Sequence, residues 1–241
     1  MKFILIIFIA LNFSNSNFEK ESNNLNSILS SYVDSLGNVD YKGIINNPFA
    51  LNDYLKFIEG ISPISHPEYF KTENSIKAYW INTYNAIILK IMVDNPGENI
   101  LDIGLIGYDV FLKKFKIGKK RISPLYIENK ILRKMNDPRI HFVINCASKS
   151  CPPLGNKILI EENLDEQLEQ KTFNFINNKD NVYIDYDSKV IYLSRIFKWF
   201  KKDFGDLKLY VCKYLINHDY NQIKNFNIKF FKYDWNKNSI D

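Results

Sequence analysis

The residues best suited to chemistry lie in 140–154, Ile-His-Phe-Val-Ile-Asn-Cys-Ala-Ser-Lys-Ser-Cys-Pro-Pro-Leu. This stretch sets His141, Cys146 and Cys151 close together, although the whole chain has three histidines and three cysteines. A thiolate is a strong nucleophile, and a neighbouring imidazole lowers the thiol pKa and later carries the proton. A carboxylate or amide then orients the imidazole. The apolar run Ile140–Ile144 reads as a short strand that gives way to small residues at Cys146. A thiol is reachable at such a point and backbone N–H groups converge there, so Ser148 or the backbone at Ala147 is expected to stabilise an oxyanion. If 141–146 is extended, His141 and Cys146 stand roughly 16 Å apart at about 3.3 Å per residue. Contact then requires that the strand end early, that the base come from elsewhere, or that Cys151 fold back toward His141. Two further uses of the thiols stay open: a small structural Cys146–Cys151 disulfide in an oxidising compartment, and a redox-active dithiol. No second Cys or His pair has zinc-ligand spacing, so no metal is expected.

Several elements must position these groups. Residues 75–94 predict a helix with almost no polar face: Ile76, Tyr79, Trp80, Ile81, Tyr84, Ile87, Ile88, Leu89, Ile91, Met92 and Val93 surround it. A helix apolar all round is buried. Asn82 and Asn85 stand three apart in its middle, on one face. Buried amides need partners, and these either orient a substrate or satisfy loop backbone. Before this helix, Leu25, Ile28, Leu29, Tyr32, Val33 and Leu36 share one face of a helix over 25–36, and Pro48 opens another with Leu51, Leu55 and Ile58 inward.

Downstream, Ser123-Pro124 has the cap and first-turn residues of a helix that carries Ile127, Glu128, Ile131 and Leu132. Residues 161–177 form an amphipathic helix, 182–186 and 190–193 a hairpin turning at Asp187-Ser188, and Ser194 caps a helix through Phe197 and Phe200. A helical run over 207–215 holds Cys212 as a buried thiol, and a last strand covers 228–231. Helices outnumber strands and the strands pair locally. This predicts a helix-rich α+β fold with a small antiparallel or mixed sheet and helices on one side.

At 241 residues and 46% hydrophobic composition the chain can bury one sizeable core, and no linker, repeat or charge block divides it, so residues 17–241 read as one domain. Met1-Lys2, the apolar run Phe3–Leu11 and Ser14-x-Ser16 have the order of a secretory signal peptide over 1–16. The run is too short to span a bilayer, and no later segment is a span. The mature protein is therefore expected in the periplasm or secreted, with no stable membrane insertion. Its net charge of +5 loses only Lys2 with the signal, which is too mild a balance to imply nucleic acid. Lys113, Lys114, Lys116, Lys119, Lys120 and Arg121 cluster on a hairpin turning near Gly118, as a solvated face or as an anion or membrane-surface contact. His66 and His218 read as loop residues, and Trp199 and Trp235 as core.

Taken together, Val39-Asp40-Tyr41, Ala78-Tyr79-Trp80-Ile81-Asn82-Thr83-Tyr84-Asn85-Ala86, Ile127-Glu128 with Ile131-Leu132-Arg133, and Asp137-Pro138-Arg139-Ile140-His141-Phe142 with Cys146 and Ser150-Cys151-Pro152 form a spaced set. Arg195–Phe200 with Asp203-Phe204, and Tyr233-Asp234-Trp235-Asn236, extend it toward the C-terminus. In these motifs the chain resembles the DUF547 family. The resemblance implies a rearranged, papain-like α+β fold with a Cys-His-acid centre, which here falls on Cys146, His141 and Glu128. Where the family pattern has a histidine after the glutamate, this chain has Asn129. The expected function is exported cysteine-dependent hydrolysis or transfer on an amide, peptide or thiol-containing small molecule. Cys146 is then the nucleophile, His141 the base, Glu128 the orienting acid, and Asn82, Asn85 and Ser148 bind substrate. No cofactor is implied. The alternative is a non-catalytic exported binding module stapled by Cys146–Cys151.

Overall fold

The helix expected to be buried all round is the longest element and the one on which the rest packs. In the computed structural model, which describes residues 23–105 and 107–240, α4 runs Glu73–Asp94. Thr72 caps it by accepting from the Ser75 backbone N–H, and Ser75 returns the bond, so two otherwise unpaired N–H groups are satisfied at its start. Ile81, Ala86, Ile87 and Ile91 are fully buried along it, and Tyr84, Ile88, Leu89 and Met92 nearly so. Lys77 is also buried, and its ammonium is neutralised by Asp137 at 2.9 Å. That pair ties α4 to the segment carrying His141. The segment 1–16, read as a signal peptide, lies outside the described residues. Among them no helix is long and apolar enough to cross a membrane.

Around α4 pack α1 (23–32), α2 (Tyr41–Asn46) and α3 (Phe49–Gly60). The first helix ends four residues earlier than its apolar pattern predicts. Asp34 Oδ1 accepts from the Leu36 and Asn38 backbone N–H groups, which turns the chain and leaves Leu36 73% exposed. Strands β1 (Phe115–Ile117) and β2 (Lys120–Ile122) form the basic hairpin. Its two-residue turn holds Gly118 and Lys119 at φ 52° and 70°, the handedness that matches strand twist. A side chain at 118 would collide with Ser62 Oγ, so glycine is required there.

The segment that bears the candidate acid is irregular. Helix α5 (Pro124–Tyr126), capped by Ser123, widens into a single π turn over Ile127–Ile131 and tightens into a 3-10 turn over Leu132–Met135. Such local π turns are frequent at functional sites. The segment expected as a strand is a 3-10 helix, Pro138–Phe142. Asp137 caps it by accepting from the Arg139 N–H, and Pro138 supplies the fixed first-turn φ. These local signals outweigh the β-branched run that follows. The 3-10 helix ends at Phe142 and residues 143–146 follow as a turn and loop, so 141–146 is not one continuous strand.

The C-terminal half holds α6 (Leu164–Ile176), then a three-stranded mixed sheet in the order β3 (Val182–Asp185), β4 (Val190–Leu193), β5 (Asn227–Phe230). The first pair is antiparallel and the second parallel. Between β4 and β5 come α7 (Arg195–Trp199), α8 (Lys201–Phe204), α9 (Leu207–Cys212) and α10 (Tyr220–Ile223). The fold is helix-rich α+β. Two apolar clusters fill it, one around α4 and one around α6, α7, α9 and the three-stranded sheet. Ile140 belongs to the first and Phe142 to the second, so the turn carrying His141 lies where they meet.

Candidate functional site

His141 is 2% exposed, wedged by its neighbours on both sides. Its ring stacks on Phe200 at 3.9 Å between centroids. Nε2 lies 2.8 Å from Asp203 Oδ2. Arg133 grips the same carboxylate with two N–H groups, at 2.6 and 2.8 Å, and its guanidinium lies over the Phe200 ring. Burial works against the charge on Asp203, but Arg133 and His141 outweigh it and hold the carboxyl below its ordinary range. An ionised Asp203 puts the imidazole proton on Nε2. Burial depresses the imidazole to about 4 against the pull of Asp203, so the ring is neutral at pH 7. Nδ1 is then a bare lone pair, and it is buried with no hydrogen-bond partner.

Cys146 shares a cavity of about 340 Å³ with His141. The loop that presents it is built from α4. Asn85 accepts from the Asn145 N–H at 2.9 Å and donates to the Val143 carbonyl at 2.9 Å. Asn145 in turn accepts from the Ala147 N–H at 2.7 Å and donates to the Pro152 carbonyl at 2.8 Å, closing the loop. Ala147 takes φ 64° in the tight turn after the cysteine. The C-terminal segment clamps this loop from outside: Lys149 N–H donates to Asn236 O, Ser150 N–H to Asp234 O, and Asn238 N–H to Ala147 O. That pairing sets Tyr233 against Cys146.

Four groups converge on the Cys146 sulfur. Cys151 Sγ lies 2.7 Å away, Ser148 Oγ 3.1 Å and Tyr233 Oη 3.4 Å, and the Ser148 N–H also points at it. Burial raises a thiol pKa, but these hydrogen bonds outweigh it and bring Cys146 down to about 7. Cys151 moves the other way, because burial and the charge on Cys146 hold its proton in place. Both cysteines are free thiols in the structure.

The cavity gathers Cys146, His141 and Glu128, but their division of labour differs from the expected one. Glu128 does not orient the imidazole; Asp203 does, 62 residues further along. The Glu128 carboxylate has no hydrogen bond or ion pair among the described residues. Burial and the neighbouring Cys146 raise it to about 7, although Arg133 pulls the other way. Asn129, beside it in the π turn, accepts from Arg133 at 2.5 Å and so extends the clamp on Asp203. The expected substrate ligands also change role. Asn82 closes a two-bond bracket on Leu159, and Asn85 holds the cysteine loop, so both amides satisfy backbone. They line a different cavity, of about 350 Å³, with Lys171. The backbone N–H groups of Cys146 and Ala147 are occupied by Cys151 Sγ and Asn145 Oδ1, and Ser148 Oγ bonds the Cys146 sulfur itself, so the groups expected to stabilise an oxyanion are already engaged.

Asp203 and Tyr233 are the residues sequence reasoning missed, although both stand in quoted motifs. Trp199 and Trp235, read as core, line the cavity wall. Cys212 is half-buried rather than buried. His66 pairs with Glu68 and His218 with Tyr186, both away from the site.

Fold and site together define a helix-rich α+β protein with a thiol-bearing, aromatic-walled cavity. Residues 69–176 match the model of a family described as a protein of unknown function, DUF547, and over that stretch the chain is similar to the DUF547 family. The match takes in Glu128, Asn129, His141, Cys146 and Cys151; Trp199, Phe200, Asp203, Tyr233 and Trp235 lie beyond it. Searches of curated proteins and of solved structures each returned no match.

Proposed function

We propose that this protein is a cysteine-dependent hydrolase or transferase acting on an amide, peptide or thiol-containing small molecule, with Cys146 as nucleophile. The observation that carries the reading is one cavity holding a hydrogen-bonded thiol near neutrality and an imidazole whose Nε2 is fixed by Asp203 while Nδ1 is unpaired. The Cys146 thiolate attacks the acyl carbon, forming a carbon–sulfur bond. The amine or thiol leaves as its bond to that carbon breaks, taking the proton that Cys146 gave up to His141 Nδ1 on attack. Water, or a second nucleophile in a transfer, then cleaves the thioester and gives its proton to His141 Nδ1. Asp203 and Arg133 act as positioning residues that fix the tautomer. The Met1–Ser16 pattern supports export to the periplasm or beyond, tested by the N-terminus of the mature chain.

A second reading is favoured by the 2.7 Å approach of the two sulfurs: a Cys146–Cys151 bridge in a non-catalytic binding module. Alkylation of the purified, unreduced protein with peptide mapping separates the two. Rapid labelling confined to Cys146, with loss of acyl-enzyme formation in Cys146→Ser and His141→Ala, supports the enzyme. A pair that labels only after reduction supports the module.

A further inference from the structure

The walls of the Cys146 cavity say what kind of ligand fits. Tyr84, Tyr108, Trp199, Phe200, Tyr233 and Trp235 are among its lining residues, and most of them belong to one connected group of rings. Tyr233 packs on Trp235 at 4.5 Å and on Trp199 at 4.7 Å between centroids; Trp199 meets Trp235 at 5.7 Å, and Tyr108 meets Trp235 edge-on at 5.9 Å. Tyr108 and Trp199 are 57% and 43% exposed, so this aromatic wall reaches solvent. Ring faces carry negative electrostatic potential and attract cations.

The charges point the same way. Among the described residues lining the cavity there is no lysine or arginine, and one carboxylate, Glu128. That carboxylate lacks a hydrogen bond or ion pair among the described residues. The nearby Arg133 is engaged by Asp203 and Asn129 and is not its partner. A half-buried carboxylate in the cavity wall without a partner is poorly compensated, and a cationic ligand supplies the partner the protein does not.

We propose that this cavity takes a ligand bearing an organic ammonium group, received by the faces of Trp199, Tyr233 and Trp235 with Glu128 as its counter-ion. As a statement of substrate class this rests on the cysteine chemistry proposed above, and it narrows the substrate to an amide, ester or thioester one half of which is cationic. As a statement of binding it stands apart from that chemistry, so the test measures binding alone.

The probe pair is choline and its uncharged isostere 3,3-dimethylbutan-1-ol, titrated against the full-length Cys146→Ser protein by calorimetry and by tryptophan fluorescence. Choline is expected to bind at least about tenfold more tightly than the isostere, and Glu128→Gln, with its fold verified by circular dichroism, is expected to abolish most of that preference. Trp199→Leu is expected to weaken choline more than the isostere. The proposal is overturned if the isostere binds as well as choline, if Glu128→Gln leaves the preference intact, or if choline shows no saturation by roughly 10 mM. A Cys146 that resists alkylation while the cation preference holds removes the enzyme and keeps the ligand class; a reactive Cys146 with no cation preference does the reverse.

Discussion

The Cys146 thiolate offers the sharpest test of the site, because its charge is set by a countable set of donors. Ser148→Ala removes the hydroxyl that lies 3.1 Å from the sulfur and 3.1 Å from Tyr233 Oη, and leaves Cys151, Tyr233 and the backbone N–H on the sulfur. In the intact protein a thiol near 7 is half ionised at pH 7, whereas one at the ordinary 9.0 is about 1% ionised, a ~50-fold difference in thiolate. The less basic thiolate is a weaker nucleophile by roughly eightfold for a Brønsted slope of about 0.4–0.5, so alkylation at pH 7 is expected to run only ~6-fold faster than for an ordinary cysteine. The rate is therefore a weak signature and the midpoint a strong one. A hydrogen bond to a charged group is worth about 1.5–3 kcal/mol, which places the midpoint of Ser148→Ala about 1–2 pH units higher. Tyr233→Phe, which removes the longer contact, is expected to move it less. The assay is the second-order rate of iodoacetamide labelling of Cys146 from about pH 5 to 10, followed by intact mass and peptide mapping. A wild-type midpoint at or above 9, or a Ser148→Ala midpoint that does not rise, refutes the donor account.

Other outcomes follow from the same geometry. Glu128 has a folded pKa of about 7 against an ordinary 4.5, so the folded state binds more protons than the unfolded chain across that window, and its contribution falls as pH rises from about 4.5 to 7. Glu128→Gln is therefore expected to stabilise the protein by up to ~3 kcal/mol at pH 8 and by little at pH 4, read from urea unfolding. His141 has the opposite sign: its pKa is depressed from 6.5 to about 4, so its contribution is full above pH 6.5 and is lost as pH falls toward 4, by up to ~3 kcal/mol. The two nearly cancel in the wild type between about pH 5 and 6.5, so their nearly flat joint contribution in that range is expected to become a fall with acidification in Glu128→Gln and a rise with acidification in His141→Gln. Asn85→Ala is expected to cost ~2–4 kcal/mol, because it strands the buried Asn145 N–H and Val143 carbonyl; Asn82→Ala, whose partners on Leu159 are only partly buried, is expected to cost less.

By itself the sequence determined what is governed over short range. The spacing of Ile81, Tyr84, Ile88 and Leu89 dictates a buried helix, Gly118 a hairpin turn, and the His141–Cys151 cluster the place where chemistry concentrates. It also demanded partners for Asn82 and Asn85 without naming them. Even locally it erred where two signals competed, at 138–142, because the Asp137-Pro138 start outranks the apolar run that reads as a strand. Only the tertiary structure decided who touches whom. The carboxylate on His141 comes from α8, 62 residues away, and the phenol on Cys146 from a C-terminal segment 87 residues away. Glu128 is left without a hydrogen bond or ion pair because the packing of α7 and α8 directs Arg133 to Asp203 instead. Periodicity and capping are properties of a few successive residues, whereas the protonation of a thiol or an imidazole depends on the burial and charges that distant elements bring to it.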